Sequence, residues 1–359
     1  MPRFPLWFCL ISVPVLLSAQ QPERYTVTGD PVAIYNLVGS VRVEPHEGEG
    51  VLVQVTRAGG EAARLRIAQG DLHGRATLRV VYPGDQIRWR PDRGRTSTQL
   101  RVRDDGTFGD LSHDHPHERR GRDGADEGRR VTVSSERGMD ARADLLIGVP
   151  KGRRVAVYLA VGSVAVTNVN GDLAVDAHDA PVTATGVQGA LTVDVGSGSV
   201  RISQVQGDLR VDTGSGSVDV SRVRSRTLMI DTGSGEVTGA ELECDAVAVQ
   251  TGSGGIRLTG VAAPSLSLDT GSGEVSADLR RDPVSLRAET GSGNVTIRAP
   301  ATLGARVTIE TSSGDIETDF PMQITRRGRE GMDGTIGDGR GTIAIETASG
   351  RISLLKRSP

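Results

Sequence analysis

The chain has 359 residues, of which 36% are hydrophobic and only 3% are aromatic, and its formal net charge is −3 at pH 7. This small charge excludes a global field of the kind that draws a protein to nucleic acid or to an anionic membrane. An ordinary α/β enzyme core would use more aromatic residues, and the 47 glycines lack the every-third-residue period of collagen.

The first segment, residues 1–19, is predicted to be an export signal. It has a basic start at Arg3 and an apolar run over residues 4–17, and small residues precede Gln20. Cys9 lies inside the run behind two bulky aromatic residues, which argues against a lipoprotein cysteine. The run is too short for a comfortable membrane span, and no second apolar span follows. We expect an exported protein, in the periplasm, at the cell surface or outside the cell, without an integral membrane span after signal removal.

Residues 20–160 are predicted to form a β-rich N-terminal part. Segments such as VLVQVTR and ATLRVVYP alternate apolar and polar side chains, as half-buried strands do. A mixed-charge, glycine-rich stretch with few apolar side chains interrupts this part. Such a composition buries too little apolar surface to fold, so we expect a disordered insertion at about residues 91–130.

From residue 161 to residue 359 one phrase recurs. DTGSGEV occurs at residues 231–237 and again at residues 269–275, with close copies before and after. The final Val or Ile of each copy recurs at steps of 18 to 21 residues, and the last step is 36. This period is typical of a stacked repeat rather than of a heptad or a helical hairpin. The double-length last step predicts a flexible insertion at about residues 321–341.

Each repeat contains an alternating strand, a Gly-Ser-Gly corner, a second short strand and a turn with one apolar residue. Alternation places every second side chain on one face, so Ile230 is predicted to face inward and Met229 outward. Glycine permits positive φ at the corner and lets neighbouring coils approach to about 4.8 Å. The pattern predicts a single-stranded parallel β-helix (a β-solenoid) of 18–21-residue coils with three apolar lines. Crossover preference favours right-handed winding.

The motifs, in their order along the chain, resemble a known family. The VGSV opening, the IGVPKG hairpin, the repeated TGSG phrases and the closing GTIGDGRGTIAIETASGRISL are similar to the bacterial putative-adhesin family. That family is an exported domain of unknown function, predicted to form a β-helix. The resemblance covers roughly residues 30–355 and implies a surface or envelope role. Some relatives are linked to envelope-stress responses, and the family offers no accepted catalytic residues to carry over.

The densest group of potential metal ligands is the sequence HDHPH, which contains His113, Asp114, His115 and His117. Imidazoles beside a carboxylate can bind zinc, nickel or copper. A flexible insertion loses entropy when it is ordered around a metal. We therefore expect a solvated loop with weak metal binding at most.

A second candidate is the outward-facing residue before each Thr-Gly-Ser-Gly phrase, and we call this row the acidic ladder. Like charges at coil spacing should repel one another. Three interpretations are open: each carboxylate caps its own turn by accepting a backbone N–H bond from two residues on, neighbouring carboxylates bind a cation, or two of them form a glycosidase-like pair. We favour the caps. The ladder positions are Asp176, Asp194, Asp212, Asp231, Gln250, Asp269, Glu289, Glu310 and Glu346.

No other motif predicts chemistry. The Gly-Ser-Gly corners do not continue as a phosphate-binding loop and open no helix, so we expect turns. Cys244 is in phase with Leu242 and is expected to be a small buried hydrophobe. No catalytic residue, cofactor-binding residue or cofactor is predicted.

We expect a non-enzymatic, exported β-helix, an adhesin or a surface or envelope interaction protein that presents a repetitive face to an unidentified protein or glycan. One alternative is a periplasmic envelope-stress sensor or accessory protein that acts by protein contact. Another is a polysaccharide lyase or hydrolase, which rests on fold analogy alone. An enzyme should show a non-repeating cluster of Asp, Arg or Lys in mid-rod, where this chain is most repetitive.

Overall fold

A computed structural model describes residues 22–90, 97–109, 128–328 and 330–357, so the predicted export signal lies outside the described residues. Within these ranges the regular structure is strand, apart from one 3₁₀ turn at Ala62–Arg64. The strands are β1 (Glu23–Val27), β2 (Val32–Pro45), β3 (Val51–Ala58), β4 (Arg66–Leu72), β5 (Arg75–Val81), β6 (Gln86–Arg88), β7 (Ser97–Val102), β8 (Arg129–Ser134), β9 (Arg142–Val149), β10 (Arg153–Thr167), β11 (Gly171–Asp179), β12 (Val182–Gln188), β13 (Leu191–Ser197), β14 (Val200–Gln206), β15 (Leu209–Ser215), β16 (Val218–Ser234), β17 (Val237–Ser253), β18 (Ile256–Val261), β19 (Ser265–Thr270), β20 (Val275–Leu279), β21 (Ser285–Ser292), β22 (Val295–Ala299), β23 (Ala305–Ser313), β24 (Ile316–Thr318), β25 (Met322–Arg327), β26 (Gly331–Ile336), β27 (Gly341–Ser349) and β28 (Ile352–Lys356).

The coils pair in register and share one apolar interior, which confirms the predicted parallel β-helix. One buried row lies on the strand before each corner, a second on the strand after it, and a third on the turn. The first row includes Leu191, Leu209, Leu228, Val247, Leu266 and Leu286. The second includes Val182, Val200, Val218, Val237, Ile256 and Val275. The third includes Val169, Val187, Val205, Val223, Leu242 and Val261.

The parallel stack begins well before residue 161. β2 pairs in parallel with β10 along both of its halves, and β10 continues through the division that the sequence analysis drew between residues 20–160 and 161–359. Beyond β2, the strands β5 and β9 add one more parallel rung. Antiparallel pairs then close the stack, because β4 pairs with β5, and β3 pairs with both β9 and β1. The N-terminal part is therefore the first coil together with its antiparallel cap.

Strands occur inside the insertion that was expected to be disordered at about residues 91–130. β7 pairs with β8, and β8 pairs with β6, to form a separate three-stranded sheet. Thr98 and Val102 are buried, which gives β7 one inward face. The alternation of buried and exposed residues in β7 is short and is surrounded by charged residues. The composition of the whole stretch therefore did not reveal this strand. Residues 91–96 and 110–127 lie outside the described residues.

Close backbone approach explains the glycines of the repeated corners. A Cβ added to Gly214 would lie 2.6 Å from the carbonyl oxygen of Gly196 in the preceding coil. At the second position, Gly235 has a φ of 146°, and an added Cβ would lie 2.1 Å from the carbonyl oxygen of Gly216. The second position is therefore the stricter one, while the first position holds Ala348 in a coil that stacks in register on its neighbour.

The threonine of the TGSG phrase is buried, and in several coils its hydroxyl donates a hydrogen bond to a backbone carbonyl oxygen of the adjoining coil. The hydroxyls of Thr270, Thr290 and Thr347 donate to carbonyl oxygens of second-position glycines in the adjoining coil, at 3.0, 3.0 and 3.1 Å. The equivalent hydroxyls of Thr232 and Thr251 are buried and have no partner among the described residues. The row therefore contains satisfied and unsatisfied members in otherwise similar surroundings.

The last coil of the sequence is not the last coil of the stack. β27 and β28 lie between the coil formed by β21 and β22 and the coil formed by β23 and β24. Val295, Ile352 and Ile316 are consequently consecutive in space, although Ile316 precedes Ile352 in the chain.

The flexible insertion predicted at about residues 321–341 contains a β-hairpin. β25 and β26 pair with each other, and β26 also pairs antiparallel with β23. This hairpin covers the C-terminal end of the stack, as the antiparallel strands cover its N-terminal end. Covered ends leave fewer unpaired strand edges on which other chains could add.

The buried row gives a direct test of register. Ile230 is 2% exposed and Met229 is 41% exposed. Ile230→Asp places an unpaired charge in the core and should lower the free energy of unfolding by roughly 3–5 kcal/mol. Met229→Asp should cost less than about 1 kcal/mol, as surface changes do. Urea denaturation measures both, and equal losses would contradict the strand register.

The threonine row gives a second test. Thr290→Val should lower the free energy of unfolding by about 1 kcal/mol, because it removes a made hydrogen bond. Thr232→Val should be neutral or stabilising, because it removes a buried hydroxyl without a partner. Val195 already occupies the equivalent position beside Thr213. Denaturation curves that show the same loss for both variants would refute the assigned bonds.

Candidate functional site

Stacking gathers all the ladder residues into one row on the outward side of the strands that precede the corners. Each member is the register partner of the next, in the spatial order Asp176, Asp194, Asp212, Asp231, Gln250, Asp269, Glu289, Glu346 and Glu310. The sequence predicted this set of residues. It did not predict that Glu346 lies between Glu289 and Glu310.

Ion pairs, rather than turn caps, partner several of these carboxylates. The carboxylate of Asp212 lies 3.8 Å from Arg210, that of Glu310 lies 3.0 Å from Arg326, and Glu289 pairs with Arg287. Within the described ranges, the carboxylate of neither Asp212 nor Asp231 accepts a backbone N–H from two residues on. For Asp212 and Asp231 the favoured cap interpretation is therefore wrong, and for the other rungs it stays a prediction. A cap needs the chain to turn after the ladder residue. The strand continues instead, as β15 does past Asp212, and the backbone N–H groups of the strand bond the neighbouring coil.

Repulsion along the row is visible at its centre. Asp231 lies between Asp212 and the uncharged Gln250. Partial burial and, after it, the neighbouring Asp212 carboxylate raise the pKa of Asp231 above its usual range, and Arg210 opposes them. Ionisation of Asp231 therefore lowers the stability of the folded chain.

The same outward row continues toward the N-terminus with different chemistry. The register partners before Asp176 are Tyr158, Tyr35 and Arg79, and all three are buried. The rings of Tyr35 and Tyr158 stack with centroids 4.3 Å apart. Sequence analysis missed these positions, although Tyr35 stands four residues before Gly39 as Asp231 stands four before Gly235.

A segment of the same chain, residues 103–109, buries these first positions. Arg79 Nη1 donates to the carbonyl oxygen of Asp105 at 3.0 Å, and the ring of Phe108 meets that of Tyr35 edge-on at 5.9 Å. Gly109 then lies against Tyr158 and Asp176. The segment thus passes from the rung of Arg79 to that of Asp176, along the axis of the stack.

The spacing of backbone and rungs permits this path. An extended chain advances about 3.3–3.6 Å per residue, and neighbouring strands lie about 4.8 Å apart. Four extended residues would therefore span about three rungs. The covering segment is more folded than this, because Arg103 N donates to the carbonyl oxygen of Thr107 and Gly106 N to that of Arg103, both at 2.9 Å. The outward face can hold a polypeptide laid across its strands, and the positions beyond Gly109 are acidic.

The comparisons with known proteins identify the family. The family model described as Toastrack DUF4097 matches residues 126–355. The chain belongs to the Toastrack DUF4097 family. This confirms the predicted resemblance at the level of a domain family of unknown function. No curated protein matches the chain.

A solved structure, described as a putative cell adhesion protein from Clostridium sporogenes ATCC 15579, aligns with 94% of this chain and 100% of its own, at 10% identity and a TM-score of 0.20. A TM-score this low supports no argument about fold or function. None of the residues that the structure describes forms a helix long and apolar enough to cross a membrane.

The other candidates of this Toastrack chain fall outside the ladder. His113, Asp114, His115 and His117 lie outside the described residues. Among the residues with described positions, no group of three or more His, Cys, Asp or Glu side chains is arranged to hold a metal ion. Cys244 is buried, burial raises the pKa of its thiol, and Ser225 Oγ donates to its sulfur at 3.2 Å.

The third corner of the Toastrack coils carries charge of both signs. Arg224 pairs with Glu243 of the next coil at 3.1 Å, and Arg226 pairs with Asp208 of the preceding coil at 2.6 Å. Arg222 in this corner adopts a φ of 53°, a conformation that sequence analysis did not detect. Opposite charges of adjacent coils therefore pair at this corner. In the acidic ladder, by contrast, charges of one sign are repeated.

Neutralising one rung should show the cost of the ladder. A folded-state pKa above the unfolded value means that the folded chain binds the proton more tightly, so the ionised form of Asp231 lowers stability as pH rises above its usual pKa. Asp231→Asn should raise the free energy of unfolding at pH 7 by a few tenths of a kcal/mol, after solvent screening. The gain should vanish at pH 3.

Urea denaturation in chelator at both pH values measures this effect. Asp219→Asn is the matched control, because Asp219 pairs in register with Arg201 and Thr238 on the other strand of the coil and faces no acidic rung. A loss of stability in Asp231→Asn at pH 7 would show that its charge is stabilising.

Proposed function

We propose that this Toastrack protein is an exported, non-enzymatic surface or envelope interaction protein, and that its partner binds the outward face that carries the acidic ladder. The observation that carries the proposal is the path of residues 103–109, which lie along the first rungs of that face and bury Tyr35 and Tyr158. The face thus already receives one polypeptide segment, which is folded as a turn over residues 103–107. The exposed rungs at Asp231 and Asp269 continue the same row.

The chemistry of the row supports a cationic, extended segment of a protein as the partner. From Asp176 to Glu310 each rung except that of Gln250 offers one carboxylate at the rung spacing, and arginine side chains of a chain laid along the axis can reach them. Contacts of this kind are individually weak, about 0.2–1 kcal/mol each when exposed, and repetition along the rod makes them add. Many weak contacts along one face suit adhesion better than catalysis.

The uniformity of the row favours binding over hydrolysis. A glycosidase needs one acid with a raised pKa beside another in a different environment. Here the carboxylates repeat in equivalent strand positions, and arginines flank several of them. Export rests on residues 1–19, and the periplasmic accessory role remains the second candidate because it uses the same face and the same signal.

The experiment measures binding and export together. Export should yield a chain that begins at or near Gln20 in the periplasmic or surface fraction, determined by mass spectrometry. For binding, a fluorescent peptide of alternating Arg and Ser should bind the purified protein in an anisotropy assay, and its affinity should fall as salt rises.

Charge reversal on the ladder is the decisive variant. Asp231→Lys combined with Asp269→Lys should weaken peptide binding about tenfold or more. Asp219→Lys combined with Asp245→Lys makes the same change of charge away from the ladder and should leave affinity within about twofold. Equal effects of the two double variants, or no binding by any protein, would refute the ladder as the binding face. Retention of an uncleaved chain in the cytoplasm would refute export.

A further inference from the structure

The coil made by β27 and β28 fills a slot between two coils that are consecutive in the sequence. β27 pairs in parallel with β21 on one edge and with β23 on the other, and β28 pairs with β22 and β24 in the same way. Thr347 is therefore in register with both Thr290 and Thr311. β2 at the other end of the stack is also out of chain order, because it lies between β9 and β10, which are consecutive in the sequence.

Backbone hydrogen bonds hold the coil from both sides. Gly293 N donates to the carbonyl oxygen of Ser349 at 2.9 Å, and Gly350 N donates to that of Ser313 at 3.0 Å. Arg351 N donates to Asn294 Oδ1 at 2.9 Å. None of these contacts requires the coil and its neighbours to belong to one chain.

β26, β27 and their connection embrace β23. β26 pairs with its outer edge and β27 with its inner edge. The connection, residues 337–340, passes over Gly304, where an added Cβ would lie 2.0 Å from Asp338 Oδ1, and Gly341 N donates to the carbonyl oxygen of Gly304 at 2.9 Å. The strands β25 to β28 thus form one arm, which residues 319–321 join to the rest of the rod.

The slot exists only when the arm is in place. The coil of β21 and β22 and the coil of β23 and β24 repeat the same inward residues, with Leu286 equivalent to Val307 and Val295 equivalent to Ile316. Without the arm these two coils could pair directly, as the coils from β11 to β22 pair with their neighbours in the chain. With the arm in place they are separated by one rung.

We propose that the arm is exchanged between two copies of this protein, so that the arm of each chain embraces β23 of the other in a strand-exchanged dimer. The dimer keeps every contact of the closed monomer and changes only residues 319–321, which is the condition under which exchange costs little. Its two rods are joined near their C-terminal ends, and the dimer presents two acidic ladders. Dimer formation depends on protein concentration while the arm is free.

Cysteine pairs that report the register test this proposal. In a background of Cys9→Ser and Cys244→Ser, the single variants Arg287→Cys and Ala344→Cys are mixed, unfolded together, refolded at high concentration and oxidised. Residues 287 and 344 are register partners on adjacent coils, so an exchanged dimer places one cysteine from each chain within disulfide reach. We expect a disulfide-linked dimer whose yield increases with protein concentration.

The matched control mixes Arg287→Cys with Thr308→Cys. Both residues pair in register with Ala344 from opposite sides, so they lie two rungs, about 9–10 Å, apart and beyond disulfide reach. This mixture should give at least tenfold less linked dimer. No linked dimer at any concentration in the first mixture, or equal yields in the two mixtures, would overturn the exchange.

A single chain that carries both Arg287→Cys and Ala344→Cys, refolded when dilute, should form the same bond within the monomer. Failure of that bond would overturn the inserted position of the coil and the exchange with it. None of these outcomes depends on ligand binding by the acidic ladder, so the proposed function is tested separately.

Discussion

The close approach of backbone to backbone at the Gly-Ser-Gly corners is the constraint on which the rest of the structure depends. At this corner the carbonyl oxygen of one coil occupies the volume that a Cβ of the next coil would need, as at Gly216 and Gly235. With glycine at both positions, the strands on either side can pair without a break in register. The buried rows on those strands then lie over one another and form a continuous interior.

Register has a consequence on the outside of the rod as well. A coil that repeats its inward residues also repeats its outward ones, so a single acidic position becomes a row of carboxylates. Burial and the neighbouring Asp212 raise the pKa of Asp231, so ionisation of that residue costs stability, and Asp212 and Glu289 each have an arginine beside them. An exposed row of like charge along one face points to a role outside the fold. The N-terminal rungs support this view, because the same row is there covered by polypeptide and carries tyrosines in place of acids.

The exposed strand edges at the two ends of the stack are covered by different arrangements of strands. A stack of parallel strands ends in unpaired N–H and C=O groups, which attract further strands. At the N-terminal end, β5 and β9 lie parallel beside β2, and β4 and β3 then pair antiparallel with β5 and β9. At the C-terminal end the β25–β26 hairpin covers β23, and the chain then returns to insert its last coil one place inward. As a result β23 lies between β26 and β27, two strands that follow it in the sequence. The C-terminal end of the stack is therefore closed only when the arm is docked.

The sequence by itself determined the parallel β-helix, its coil length, its buried rows and the members of the acidic ladder, because each of these follows from a local period that is repeated in every coil. Ile230 and Asp231 take opposite faces for the simple reason that they are adjacent in a strand. The HDHPH group and the export signal remain sequence predictions. Only the tertiary structure decided where β27 lies, since Leu286 can pair equally well with Val307 or with Ile343 and the repeat carries no information about order. Only the tertiary structure decided that residues 103–109 cover Tyr35 and Tyr158, because that contact joins segments far apart in the chain. It also showed an ion pair with Arg210 in place of the predicted cap at Asp212, because the strand continues past that residue and pairs with the neighbouring coil.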